Sequence, residues 1–192
     1  MSSRILNLLP ASRRSGRGFA RLAQKFARRK DGTAVIEFAI VIVPFLALMF
    51  AIIETALVFY AGQVLETAAA DSARLIMTGQ AQKQTFTEAQ FKSDVCGRLL
   101  ALFNCDAGVK IDVKKYASFP GSIQTPPLDA DGDLDTSSFG FQPGVQGDIV
   151  VVRVVYEWPT FVRQFGLDLA TLPNGKHLLM STAAFRNEPY SN

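Results

Sequence analysis

A single histidine (His177) and two cysteines (Cys96, Cys105) are the only imidazole and thiol groups in 192 residues. No nucleophile elbow, phosphate-binding loop or zinc spacing accompanies them. Asp168 and His177 stand too far apart in the sequence to be read as a pair. The expectation is a protein without catalytic residues, metal or cofactor. Internal repeats are also lacking. Two further absences are more informative. The first thirty residues hold nine Lys and Arg and no acid, and the sixteen residues from Phe38 to Ile53 hold neither a charge nor a hydrogen-bonding side chain.

These two absences explain the net charge. Nine of the twenty Lys and Arg precede Asp31, which leaves 11 bases against 17 acids beyond it, a balance of −6. The pI of 9.0 therefore describes a basic head and not a basic domain. Nucleic-acid binding is not expected, because no recognition motif travels with the charge. Lys and Arg beside an apolar run favour the cytoplasmic side of a membrane, which puts the N-terminus inside and the C-terminal part outside. A helix rising 1.5 Å per residue needs roughly 20 residues to cross the hydrocarbon core. Thr33–Ala61 supplies twenty-nine, interrupted by only two acids, Glu37 and Glu54. A secretory signal has a shorter apolar core closed by a small-residue cleavage site, and none closes this one. Three regions follow: a cytoplasmic leader at 1–32, a transmembrane helix at 33–61, and an extracytoplasmic domain at 62–192.

The expected fold is α+β. Helical periodicity continues past the membrane, with Leu57, Tyr60 or Ala61, Val64, Ala68 and Leu75 on one face, until Thr78-Gly79 ends it. Thr85-Phe86-Thr87-Glu88 has the spacing of a capping box and predicts a second helix over 86–103. Val109, Ile111 and Val113 alternate with polar residues as in a half-buried strand. Asp148–Trp158 reads as the strongest strand and His177–Phe185 as a third. The three strands predict a small antiparallel sheet packed on the long helix. Residues 118–147 read as a loop anchored by Phe139 and Phe141, and Phe161–Leu169 as a short apolar piece in a second loop. The segment Phe19–Phe26 has the alternation of an amphipathic turn at a lipid surface. Cys96 and Cys105, both on the outer side, favour a disulfide closing a short loop, with two buried free thiols as the other reading.

Three acidic features stand out. Glu37, near the start of the membrane helix, would be costly within hydrocarbon and by itself suits the cytoplasmic interface beside the helix N-terminus. Glu54 either marks the outer interface or meets an interhelix or intersubunit partner. Asp129, Asp131, Asp133 and Asp135 suggest calcium, but Leu134 and Gly140 stand where an EF-hand requires Gly and Glu, so an acidic solvated loop is the favoured reading.

A basic leader, then Gly32, then an apolar run with Glu37 as the fifth residue after that glycine, resembles the class III signal of type IV prepilins. Gly32–Ala39, Ile52-Ile53-Glu54 and Phe59–Leu65 are together similar to the TadE-like family, minor pilins or pseudopilins of tight-adherence (Flp) pili. Gly147–Val152 before Tyr156 and Ala184–Tyr190 add to the similarity. The resemblance implies cleavage between Gly32 and Thr33 by a prepilin peptidase, and pairing of the new amine of Thr33 with Glu37 of a neighbour. It implies assembly roles for Glu37 and Glu54. It further implies a single-pass protein of the bacterial inner membrane whose partners are lipid and other pilins and pseudopilins. The competing expectation is an uncleaved, membrane-anchored extracytoplasmic binding module.

Overall fold

A computed structural model describes residues 30–99, 101–161 and 168–190. The chain divides into two compact units, Met1–Leu48 and Met49–Asn192. One helix, α1 (Lys30–Met77), contributes to both. The described part of the first unit is helix alone. The second unit adds α2 (Gln80–Lys83), α3 (Glu88–Arg98), α4 (Cys105–Gly108), β1 (Lys110–Tyr116), β2 (Ile149–Pro159) and β3 (Lys176–Arg186). The fold is α+β, as the sequence indicates. The Phe19–Phe26 segment and positions 162–167 of the apolar loop piece lie outside the described residues.

The sheet is antiparallel in the order β1-β2-β3. Val152 of β2 stands between Val113 of β1 and Ala183 of β3. Alternation along β2 sends Val150, Val152, Val154, Tyr156 and Trp158 to one face, where they meet the buried stripe of α1. The residues of β2 on the opposite face include Val151 and Val155, which are also buried, so this strand reads as a continuous apolar run.

The buried stripe of α1 is Val58, Ala61, Leu65, Ala69, Ala73 and Ile76. Of the face expected, Ala61 and Ala68 are buried and Val64 and Leu75 pack partly against the core, while Leu57 is exposed, with Val58 buried in its place, and Tyr60, the alternative to Ala61, is exposed as well. The stripe is rich in small alanines. They let the helix backbone approach a strand that brings its own bulk in Val154, Tyr156 and Trp158.

Gly79 ends α1 with φ at 76, a left-handed conformation that glycine adopts without steric cost. Its Cα faces the Tyr190 ring so closely that no Cβ would fit. The C-terminal residues thus fasten the end of α1. The Glu188 amide donates to the Met77 carbonyl at 2.8 Å, and the buried Asn187 side chain donates to the carbonyls of Pro143 and Val145 at 2.9 and 3.0 Å.

The second long helix differs from expectation at both ends. Its cap is Thr87, whose hydroxyl accepts from the Gln90 amide while the Gln90 side chain accepts from the Thr87 amide. This capping box lies two residues beyond the predicted one, because Thr85 is spent on a tight turn with φ at 49 and Phe86 donates back to Ala81. The helix stops at Arg98, where Leu99 turns extended, and does not reach Phe103.

Candidate functional site

The residues singled out in the sequence lie on α1, on the helix and strands of the second unit, and in its acidic loop. In the first unit, Thr33 and Glu37 are exposed in the opening turns of α1, beside exposed Val35, Ile36, Phe38, Ile40 and Val41. The Gly32–Thr33 peptide lies within the described length of α1. The most apolar 18-residue window of α1 is 0% buried. Sixteen uncharged residues exposed in this way would be untenable in water, and they suit lipid. This helix fits a single-pass membrane anchor.

In the second unit, Glu54 is only 5% exposed. Its Oε1 accepts a hydrogen bond from the Phe161 amide at 2.5 Å. The turn leaving β2 is therefore held against α1 at the position where the uncharged run ends. The pairing joins residues 107 apart in sequence, and no local pattern announces it. Next to it, a groove of about 420 Å³ lies between α1 and the edge strand β3, lined by Thr55, Phe59, Gln63, Glu66, His177 and Met180 among others. Nδ1 of His177 donates to the Leu169 carbonyl at 2.6 Å, so the single imidazole of the chain ties a loop to β3.

Cys96 and Cys105 form a disulfide, with Cα atoms 5.8 Å apart. The bond fixes the segment that carries Phe103, whose ring meets Tyr156 and Trp158 edge-on at 5.0 and 5.7 Å. On the preceding helix, Asp94 accepts from Ser72 of α1 at 2.8 Å and from Arg98 at 3.0 Å. Burial pushes the Asp94 carboxyl up. The hydrogen bonds from Arg98 and Ser72, together with the Arg98 charge, outweigh it and hold the group below the ordinary carboxylate value. The Val145 amide and Lys115 do the same for Asp148, where the loop returns to β2.

The acidic loop is organised by its own backbone. One oxygen of Asp129 accepts from the amides of Asp131 and Asp133, each at 2.9 Å, and Asp135 accepts from Ser137 at 2.8 Å. These are turn-forming bonds that such side chains make without a cation. Among the described residues no group of three or more His, Cys, Asp or Glu is arranged to hold a metal. Phe141 packs on Phe91 at 5.5 Å, and the adjoining backbone pairs with β1 through Val113, covering that sheet edge.

Residues 32–74 match the family model described as TadE-like protein, in agreement with the resemblance seen in the sequence. The match begins at Gly32, includes Glu37 and Glu54, and ends three residues before α1 does. The sheet and the disulfide lie beyond it. No curated protein and no solved structure matches this chain.

Proposed function

We propose that this chain, with its TadE-like segment on α1, is a minor pilin or pseudopilin acting structurally in the biogenesis of a Tad-type adherence pilus. The observation that carries the proposal is the union of two properties in α1. No residue of its apolar window is buried, while one face of its later turns, from Val58 to Ile76, belongs to the core of the outer domain. A helix built this way can leave one stretch to lipid or to neighbouring helices and still be fixed in a folded domain. The basic head sets the N-terminus on the cytoplasmic side of the bacterial inner membrane and the α+β domain on the periplasmic side.

In this reading a prepilin peptidase cuts between Gly32 and Thr33. The amine so created on Thr33 neutralises Glu37 of an adjacent pilin or pseudopilin, removing a carboxylate that would be costly to leave in hydrocarbon. Glu54 serves the assembly from within its own subunit, holding the turn after β2 at the end of the membrane run. The test is genetic. Cells lacking this chain lose surface pili and adherence, the wild-type chain restores both, and a Glu37→Ala chain present at normal membrane levels does not. Full piliation in cells without the chain contradicts the proposal.

A further inference from the structure

The position of Glu54 along α1 has a consequence for the loop bonded to it. Thr33–Ile53 comprises twenty-one residues, which at 1.5 Å per residue span about 31 Å, close to the thickness of a hydrocarbon core. Where α1 crosses a bilayer, Glu54 lies at the outer border of that core. The amide of Phe161 donates to the Glu54 carboxylate, so Phe161 is fixed at the same level. Its side chain is nevertheless 72% exposed, although Trp158 and Pro159 just before it belong to β2 and Trp158 is buried. On α1 itself Phe59 is 73% and Tyr60 50% exposed, five and six residues further out. Three exposed aromatic rings thus gather within two turns of the border, at the depth where aromatic side chains collect in membrane proteins.

We infer that Phe161 inserts into the outer leaflet of the membrane that α1 spans, giving the domain a second lipid contact besides its helix. The inference rests on the reading of α1 as a membrane span. Lipid is the occupant because the level of Phe161 is set by Glu54, and a bilayer is present at that level whenever α1 is inserted.

The full chain, with its disulfide intact, tests this after reconstitution in vesicles of phosphatidylethanolamine and phosphatidylglycerol. Nitroxide labels are placed singly on Phe161→Cys, on Val43→Cys within the apolar run, and on Val145→Cys, which is exposed and whose carbonyl accepts from Asn187, next to the Glu188 that bonds Met77 at the far end of α1. Collision with oxygen reports lipid, and collision with a water-soluble nickel chelate reports water. The expected result is several-fold higher oxygen-to-nickel preference at 161 than at 145, with 43 deeper than 161. If 43 lies in lipid and 161 behaves like 145, the lipid contact is wrong and the span stands. Shielding of 161 from both reagents also overturns it, in favour of a protein partner. Nickel collision at 43 overturns the span itself. As a second readout, brominated lipid tails should quench the tryptophan of Phe161→Trp and spare Trp158, which is nearly buried.

Discussion

Reducing the Cys96–Cys105 disulfide should destabilise the second unit without changing its native structure. The bond closes nine residues of sequence separation. By the loop-entropy relation, releasing such a loop in the unfolded chain costs about 2.6 kcal/mol of stability at 25 °C. The unit spans Met49–Asn192, and for a domain of this size each kcal/mol moves the melting temperature by roughly 3–4 °C. The expected loss is therefore about 8–10 °C. Native structure should survive because the loop has other ties. Phe103 stays wedged against Tyr156 and Trp158, and the Asn104 amide donates to the Tyr156 hydroxyl at 3.2 Å. Trp158 reports on both questions, since its emission senses the Phe103 contact in the cold and global unfolding on heating. The comparison is the full chain in detergent, oxidised against reduced, so that side-chain packing is unchanged. A shift under about 2 °C would refute the entropy argument. A red-shifted Trp158 spectrum before any melting would refute the claim that packing alone holds the loop.

Two further perturbations probe the ties around α1. Gly79→Ala imposes a positive φ on a residue with a side chain and drives its methyl into Tyr190, so a loss of about 1–3 kcal/mol is expected from urea midpoints. Adding Tyr190→Ala to Gly79→Ala should recover the steric part alone, and full additivity would show that the ring is not the obstacle. The depressed Asp94 carboxyl contributes stability that is complete above the unfolded carboxylate value, near 3.9, and is lost as pH falls below it toward the folded value. Wild type should therefore exceed Asp94→Asn in urea midpoint at about pH 6, and the gap should narrow by about pH 3. The gap is modest because the pair is partly solvated. An equal gap at both values would show that Asp94 is not the titrating group.

The apolar run was legible because sixteen positions without a charge need no tertiary information to interpret. The same holds for the glycine stop at 79 and for β2, whose branched residues leave little alternative to a buried strand. Where the buried stripe starts was not legible. Leu57 fits a helical period as well as Val58, the period leaves Tyr60 and Ala61 as equals, and only packing on the sheet decides for Val58 and Ala61. The capping box was ambiguous for a local reason: Thr85-x-x-Glu88 and Thr87-x-x-Gln90 overlap, and the turn closing α2 consumes the first threonine. At the candidate site, Glu54 drew notice as an acid at the end of an apolar run. Its partner is a backbone amide of Phe161, a group with no sequence signature. The aspartate-rich loop carried a composition that suggests a cation, whereas the order of its carboxylates serves the turn itself.

In the proposed function, α1 is a pilin-type element released from a basic leader at Gly32–Thr33. Its most direct test is the intact mass of the membrane-embedded chain, produced with and without an active prepilin peptidase. The expected product begins at Thr33 and lacks residues 1–32, forms only with the active peptidase and is blocked by a bulky substitution at Gly32. A chain that keeps residue 1 in cells with active peptidase would contradict it.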